Sequence, residues 1–234
     1  IKINKIEIII HLAALTSVLE SEVKKDKYYE NNVLGSKIIV DICYELKIKY
    51  LIFASSSAVY GNPVKGVVDE NHQLKPKNYY GLTKKKTEIY IRKKLLNNVN
   101  YSILRFFNVS GASNEFNCGM AKSSKQLIAI IAKNIIKKKY EFKIFGNNYN
   151  TKDGTSVRDF IHVKDIAKIH FLILKKFTTL KELIINCGNG FGFSILDIIK
   201  LFEKVSKKKI NIKYTSIRKG DVKEIISNNK KMIK

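Results

Sequence analysis

A tyrosine and a lysine four residues apart are the first residues in this sequence that could do chemistry. Tyr80 and Lys84 lie in NYYGLTKKK (78–86), where a helix is predicted. Residues four apart share one face of a helix, so the Lys84 ammonium can lie near the Tyr80 phenol. A nearby cation favours the phenolate, and we expect it to lower the pKa of Tyr80. The pair therefore predicts a general base that works near neutral pH, whereas Tyr79 faces Thr83 and gains no charge.

A serine at the end of a predicted strand is the second candidate. Ser56 lies in SSSAVYG (55–61), where a strand predicted to begin at residue 49 ends in a turn of small residues. Hydroxyl groups at the carboxyl end of a parallel strand face the crevice where doubly wound folds bind ligands. The same residues could form an ordinary tight turn. A strand-end serine followed about 24 residues later by the Tyr–Lys pair is the more specific pattern.

The elements that must position these residues alternate between strand and helix. Short β-branched runs predict strands, and the run at 5–14 is expected to be a buried parallel strand and its exit loop. Apolar residues spaced by about 3.6 predict helices. The other strands predicted in this half are 49–61 and 101–108, and the helices are 24–48 and 79–98. This alternation predicts an α/β fold with a doubly wound parallel sheet.

After about residue 112 the pattern changes, and a second, smaller α/β lobe is predicted. A polar loop (113–124) precedes it, and GNGFG (188–192) is expected to be a turn before a helix capped by Ser194. The predicted helices are 125–139, one starting near Lys164, and 194–206, and the strands are 142–146, 182–188 and 209–214. We therefore divide the chain into 1–112, which carries the Ser-Tyr-Lys set, and 113–234, some of which returns to the sheet.

Composition excludes several classes of protein. The net charge is +24, but the lysines are scattered, which favours solvated faces over the localised basic stripe of a nucleic-acid-binding protein. The three cysteines (Cys43, Cys118 and Cys187) form no CxxC pair and are expected to be core thiols in a reducing compartment, with no metal site. No apolar run approaches the roughly 18 residues that span a bilayer. We expect a protein that binds neither nucleic acid nor membrane.

Longer stretches of the sequence match one known family in order and spacing. They are HLAA, YYENNVLGS, SSSAVYG, YYGLTK, LRFFNVSGA, IFGNNYNTKDGTSVRDFIHVKDIA, INCGNGFGFSI and RKGD. Through them the chain resembles the UDP-glucose 4-epimerases of the extended short-chain dehydrogenase/reductase family. The resemblance implies a Rossmann-like NAD-binding domain at 1–112 and a UDP-sugar-binding lobe at 113–234. It also implies NAD-dependent interconversion of UDP-glucose and UDP-galactose through a 4-keto intermediate, in a cytoplasmic homodimer of galactose metabolism.

The resemblance assigns roles to individual residues. Ser56 would hydrogen-bond the sugar hydroxyl, Tyr80 would be the base, and Lys84 would activate it and hold the nicotinamide ribose. The implied cofactor contacts are Leu12, Ala13, Ala14, Leu15, Thr16, Asn31, Ser56, Tyr80, Lys84 and Phe107. The implied substrate contacts are Ser56, Asn108, Gln126, Leu127, Lys143, Ile144, Phe145, Arg158, Arg218 and Asp221. The two arginines suit phosphate oxygens, to which guanidinium groups make bidentate bonds.

The sequence departs from this family at one important place. The glycine-rich strand–turn–helix that binds the NAD pyrophosphate is missing, together with the first βαβ unit. We therefore expect a fragment that binds NAD poorly and is inactive alone. Two alternatives stay open: another nucleotide-sugar epimerase or dehydratase, and a basic, non-catalytic binding protein. Dehydratases need an acid pair directly after the active-site hydroxyl, where Ser57 and Ala58 stand here.

Overall fold

Strands and helices alternate along the chain. The computed structural model describes residues 5–113, 115, 118–121 and 123–233. The strands are β1 (Ile8–His11), β2 (Tyr50–Ser56), β3 (Val67–Val68), β4 (Asn100–Phe106), β5 (Asn108–Ser110), β6 (Glu141–Phe145), β7 (Val157–His162), β8 (Glu182–Cys187), β9 (Gly192–Ser194), β10 (Asn211–Thr215) and β11 (Glu224–Ser227). The helices are α1 (Val18–Val23), α2 (Lys25–Tyr28), α3 (Gly35–Glu45), α4 (Tyr79–Leu95), α5 (Leu127–Ile136), α6 (Val163–Lys176), α7 (Ile195–Ser206) and α8 (Lys230–Ile233). A π-helical segment (Tyr29–Leu34) joins α2 to α3, and a 3₁₀ turn (Ser57–Val59) follows β2.

Four parallel strands form the central sheet in the order β1-β2-β4-β8. The inner strands β2 and β4 are buried along almost their whole length. The first strand is only half-buried, and Ile10 is 41% exposed. The expectation of a buried first strand is therefore wrong. The physical reason is its position, because β1 lies at one end of this four-stranded sheet.

Helices pack on both faces of the central sheet. On one face, α3 and α4 pack against Phe53 and its neighbours through residues such as Ile91. On the other face, α6 contributes Ile166 to a cluster that contains Ile52. Successive side chains of a strand point to opposite faces, so Ile52 and Phe53 enter different clusters. The predicted doubly wound parallel sheet is confirmed.

The remaining elements form two smaller sheets. Strands β6 and β10 pair in parallel, and α5 and α7 cover them around Ile131, Ile144 and Ile198. Strands β3, β11, β7 and β5 follow one another in a second sheet, and β9 joins β7 antiparallel. Sequence reasoning missed this second sheet, because its strands are two to six residues long and carry no sustained period. The division at residue 112 stays a prediction. Of the later elements, β8 joins the central sheet and α6 packs against it.

Composition led us to expect buried cysteines and no membrane-spanning segment. Cys43 and Cys187 are buried as expected, but Cys118 is exposed, because it lies in the polar loop that precedes α5. Burial raises the pKa of the Cys43 thiol to about 11, so this group stays protonated. Within the described residues, no helix has the length and apolar character needed to cross a bilayer.

Candidate active site

Side chains outside α4 fix the position of its first turn. Asn78 caps the helix, and its Oδ1 accepts a hydrogen bond from the Gly81 N–H at 2.8 Å. Ser21 Oγ accepts from the Tyr80 N–H at 3.0 Å, and Glu22 Oε1 accepts from the first N–H of the helix at 2.7 Å. The first N–H groups of a helix have no partner inside it. These contacts therefore determine where α4 starts and where Tyr80 lies.

A glycine lets α4 approach the end of β2 closely. A Cβ added at Gly81 would lie 2.4 Å from the Ala58 carbonyl oxygen, which is closer than real Cβ atoms come. Ala58 belongs to the 3₁₀ turn after β2, and its N–H donates to Ser56 Oγ at 3.2 Å. Ser56 also forms a hydrogen bond with the Tyr80 side chain. The structure thus brings together the serine and the tyrosine predicted from the sequence.

Lys84 lies one helical turn further along α4 and is only 3% exposed. Its Nζ donates to the Ala54 carbonyl oxygen at 2.7 Å and lies 4.8 Å from the centre of the Phe53 ring. Burial lowers the pKa of Lys84 to about 8, and the negative charge of Glu88 opposes that shift. A buried amine with a depressed pKa is typical of functional sites, although structural ion pairs can produce the same effect.

The Tyr80 phenol does not have the lowered pKa that the sequence predicts. Burial raises the pKa of Tyr80, and the hydrogen bond with Ser56 only partly opposes this. The nearby Tyr28 raises the pKa further. The prediction fails because helical spacing alone does not aim the Lys84 ammonium at the phenol, and here the ammonium is bonded to Ala54.

The segment predicted to contact the cofactor follows β1. Leu12, Ala13 and Thr16 are exposed, and Ala14 and Leu15 are half-buried. This segment leaves the sheet beside β2, because His11 at the end of β1 pairs with Phe53. Residues 12–16 therefore lie at the carboxyl end of the sheet, where doubly wound folds bind ligands.

Asn32 connects this segment to α4, and sequence reasoning missed it. Its amide exchanges two hydrogen bonds with the Leu15 backbone, at 2.8 and 2.9 Å. Its Nδ2 also donates to Thr83 Oγ1 at 3.2 Å, and Thr83 in turn donates to the Tyr80 carbonyl oxygen at 2.7 Å. The predicted contact residue Asn31 is exposed and donates to Asn32. Asn32 is 1% exposed and is therefore a structural link between the two parts of the site.

Two arginines and an aspartate predicted to bind substrate form one charged group. Burial raises the pKa of Asp221, while Arg158 and Arg218 act to lower it. Burial also lowers the pKa of both arginines, and Asp221 opposes those shifts. Arg158 Nη1 donates to the Val157 carbonyl oxygen at 2.9 Å. Arg218 Nε is buried without a hydrogen-bond partner among the described residues.

Tyr149 belongs to the same group and was not predicted. Its hydroxyl is buried and has no hydrogen-bond partner within the described part of the chain. Both arginines and Asp221 act on its pKa, which burial raises. The sequence of this polar loop does not show that Tyr149 is buried, because its burial depends on how other segments of the chain pack against the loop. A Cβ added at Gly146 would lie 2.6 Å from the Tyr149 ring.

The predicted uracil contacts on β6 divide between two faces. Phe145 is half-buried, and the Arg218 guanidinium lies 3.3 Å from the centre of its ring. Lys143 shares this face by strand alternation, and its side chain is exposed. Ile144 points the other way and is 2% exposed in the core between β6, α5 and α7. Any contact that Ile144 makes with a ligand would therefore be through its backbone, and its assignment stays a prediction.

The other predicted contacts differ in how accessible they are. Asn108 and Gln126 are exposed, and Gln126 stands at the start of α5. Leu127 packs against the core beneath α5, which leaves it half-buried. Phe107 is 5% exposed and packs with Val59 and Tyr60, so any contact it makes would be through its backbone.

Glu88 and Arg105 are further residues that sequence reasoning missed. Glu88 follows Lys84 by four residues and Tyr80 by eight, so helical spacing could have identified it. Its carboxylate is 1% exposed and pairs with Arg105, which is 2% exposed. Arg105 is the only charged residue in the strand segment YSILRFF (101–107), and this charge in an apolar run is the signal that could have identified it.

A hydroxyl, a phenol and a buried amine thus lie at the carboxyl edge of a doubly wound sheet. The family model described as "NAD dependent epimerase/dehydratase family" matches residues 1–188. The chain belongs to this family.

Individual relatives agree with the family. The chain is 38% identical over 233 residues to a UDP-glucose 4-epimerase of Lactobacillus helveticus, covering 97% of this chain and 70% of the relative. It is 36% identical to a UDP-glucose 4-epimerase of Bacillus subtilis (strain 168), covering 94% of this chain and 66% of the relative. A crystal structure of UDP-glucose 4-epimerase from Bifidobacterium longum in complex with NAD+ and UDP superposes with a TM-score of 0.92 at 31% identity, covering 98% of this chain and 70% of that one.

Proposed function

We propose that this chain carries the catalytic and sugar-nucleotide-binding parts of an NAD-dependent UDP-hexose 4-epimerase. The reaction would interconvert UDP-glucose and UDP-galactose through a 4-keto sugar. The observation that carries the proposal is the group formed by Ser56, Tyr80 and Lys84 at the carboxyl end of β2. Its relatives support the reaction, because the similar proteins bear the name UDP-glucose 4-epimerase.

The residues of this chain would handle the proton at the sugar C4 hydroxyl. Tyr80 would accept that proton, and Ser56 would hold the hydroxyl in place through its own hydroxyl group. Lys84 would hold the nicotinamide ribose and, once its ammonium turns from the Ala54 carbonyl oxygen towards the phenol, would stabilise the phenolate by its positive charge. A phenol whose pKa is raised by burial needs such a charge to act as a base near neutral pH.

The residues present fit NAD at its nicotinamide end. Residues 12–16 follow β1 at the carboxyl end of the sheet, and the buried Lys84 is bonded to Ala54 in the neighbouring strand β2. When bound, NAD would supply a hydride acceptor and donor for the sugar carbon. A glycine-rich turn for the pyrophosphate is not found in this sequence, so residues 1–234 supply only part of the cofactor site.

The charged group around Arg218 would bind the diphosphate and the base of the nucleotide. Arg158 and Arg218 can donate to phosphate oxygens, and Arg218 Nε lacks a partner among the described residues. Phe145, which is half-buried, would contact the flat uracil. Lys143, Asn108 and Asp221 would complete these contacts.

Other readings remain as alternatives to the proposal. Dehydration is disfavoured, because Ser57 and Ala58 supply no acid in the turn after Ser56. Epimerisation of a related UDP-sugar would depend on the pocket wall, to which we assign Gln126 and Leu127. A non-catalytic basic protein that binds an acidic macromolecule would be expected to lose affinity steeply with salt.

The finer expectations about assembly and location also belong to the proposal. We infer a homodimer that pairs through α3 and α4, a place in the cytoplasm and a role in galactose metabolism. Support for the dimer comes from apolar residues exposed on these neighbouring helices, with Ile38 60% exposed and Ile89 52% exposed. We further propose that 1–112 contributes the cofactor side and 113–234 mainly the sugar-nucleotide side.

The test is conversion of UDP-galactose by the full-length gene product with NAD present. Product UDP-glucose would be separated and quantified for the wild type and for the variants Tyr80→Phe and Tyr79→Phe. Loss of a positioned acid–base group typically lowers the rate by about 10²–10⁴-fold, and we expect that loss for Tyr80→Phe alone. Equal rates in all three proteins would remove Tyr80 from the mechanism. A wild type that binds NAD but converts no UDP-galactose would contradict the assigned sugar.

A further inference from the structure

Consecutive residues at the end of β2 contact successive turns of α4. The Ala54 carbonyl oxygen accepts from Lys84 Nζ at 2.7 Å. Ser55 Oγ donates to Glu88 Oε1 at 2.5 Å, and the next residue along the strand is the catalytic serine. The hydrogen bond from Ser55 to Glu88 therefore sets the register between the strand and the helix that carry the proposed catalytic group.

The Glu88 carboxylate is held by a second partner on its other side. Arg105 Nε donates to Glu88 Oε1 at 3.1 Å, and Arg105 Nη2 donates to Glu88 Oε2 at 2.7 Å. Arg105 Nη1 donates in turn to the Tyr60 hydroxyl at 2.8 Å and to the Glu70 carbonyl oxygen at 3.0 Å. A buried charge needs such partners, since an unpaired one is strongly unfavourable. Glu88 is therefore a fixed negative charge inside the protein.

Lys84 lies among few groups that could support its own charge. Among the described residues, the charged and titratable groups that interact with it are Glu88 on α4 and His11 on β1. Burial disfavours its ammonium, and the charge of Glu88 favours it. Burial lowers the pKa of His11, and the Lys84 charge lowers it further, so the neutral form of His11 is favoured beside it.

We propose that Glu88 is a positioning residue for the proposed epimerase reaction. Its carboxylate, fixed by Arg105 and Ser55, keeps the buried Lys84 amine charged and holds α4 in register with the end of β2. The assignment deepens the proposed function and rests on it. Glu88 acts through Lys84 and does not itself contact the substrate.

The test is a direct titration of Lys84 in the full-length protein. With ¹³C-labelled lysine, the Cε chemical shift follows protonation of each amine, and the Lys84 signal is the one that Lys84→Met removes. Glu88→Gln deletes the charge and keeps an acceptor for Ser55. We expect the Lys84 midpoint to fall by about one unit or more in this variant. A one-unit fall reduces the protonated fraction at pH 8 from about one half to about one tenth.

The matched control is Ser55→Ala, which keeps the carboxylate and its pairing with Arg105. Its Lys84 midpoint should stay at the wild-type value. A folded Glu88→Gln protein with an unchanged midpoint overturns the proposal, and so does an equal shift in Ser55→Ala. If Glu88→Gln does not fold, the double variant Glu88→Gln/Arg105→Met leaves no unpaired charge. Its Lys84 midpoint must still lie below the wild-type value, by less than in the single variant because a cation is removed as well, and an unchanged midpoint there also overturns the proposal.

The titration needs no turnover, so its failure is distinct from a failure of the proposed reaction. In the active enzyme, the alkaline limb of kcat should move to lower pH in Glu88→Gln, because Lys84 loses its proton earlier. A purely structural role for Glu88 would lower the rate at every pH without moving that limb. If the wild type shows no epimerase activity but Glu88→Gln still lowers the Lys84 midpoint, the proposed reaction is removed and the charge coupling between Glu88 and Lys84 remains.

Discussion

Burial and charge act against each other on the side chains of the candidate active site. The sequence places a cation one turn from the Tyr80 phenol, and α4 carries both Tyr80 and Lys84. The sequence cannot report solvent access, and burial is what raises the pKa of Tyr80 and lowers that of Lys84. The identity of the residues was therefore predictable, while their protonation required the fold.

The depressed pKa of Lys84 predicts a specific dependence of stability on pH. The folded-state pKa, about 8, lies below the ordinary value of 10.5, so between these limits the unfolded chain binds more protons. The free energy of unfolding should therefore rise with pH in this window, with a slope approaching about 1.4 kcal/mol per pH unit. Below about pH 8 the unfavourable effect of burying the charge is present in full.

This dependence is measured by urea unfolding of the wild type and Lys84→Met at several pH values between 7 and about 10.5. The variant lacks the buried amine, so the difference in unfolding free energy between the two proteins should change with pH. Lys47→Met, which removes an exposed lysine, is the control and should follow the wild type. A constant difference between wild type and Lys84→Met would contradict the depressed pKa.

The sequence predicted long, regular elements such as α4 and α7, but it did not predict the shortest strands. The helices at 79–98 and 194–206 match α4 and α7, and Ser194 caps α7 through a capping box as predicted. Strands such as β3 and β9 have two or three residues and exist because neighbouring chain segments pair with them. Such short strands form only because distant segments of the chain pair with each other, and a single sequence does not show which segments pair.

The close approach of α4 to the turn after β2 predicts different effects for two helical glycines. A Cβ at Gly81 would lie 2.4 Å from the Ala58 carbonyl oxygen, whereas a Cβ at Gly35 would lie 3.6 Å from its nearest neighbour, Glu30 O. We expect Gly81→Ala to destabilise the protein by about 1–3 kcal/mol, as overpacking does, and to disturb the Tyr80 contact with Ser56. Gly35→Ala should be neutral or stabilising by up to about 1 kcal/mol.

Thermal and urea unfolding of both variants measure this contrast, with conversion of UDP-galactose as the functional readout. Equal stability of the two variants would mean that α4 does not need the glycine for its approach. A stable Gly81→Ala protein with full activity would contradict the geometry of the site itself.

For the whole molecule, the net charge of +24 opposes any association of two copies. The proposed dimer surface on α3 and α4 carries exposed apolar residues beside lysines such as Lys86 and Lys93. Salt screens repulsion between exposed charges over about 10 Å at 0.1 M. Dimerisation should therefore strengthen as salt is added, whereas binding to a nucleic acid should weaken.

Sedimentation at low and high salt tests this prediction with two variants. Ile89→Glu adds a charge to the proposed interface and should give a monomer at both salt concentrations. Ile136→Glu, at a residue 80% exposed at the end of α5, is the control and should behave as the wild type. A wild type that dissociates on adding salt would contradict the apolar interface on α3 and α4.

The contacts between β2 and α4 hold Ser56 and Tyr80 together, so their distance does not depend on the length of the chain segment between them. Ser56 and Tyr80 meet because the 3₁₀ turn and α4 pack together, while the chain between them passes through a surface turn where Val64 is 92% exposed. Exposed turn tips accept inserted residues readily. Insertions or deletions at Val64 would leave the distance between the two side chains unchanged. Proteins that share this packing could therefore differ in the length of the interval and keep the same reaction.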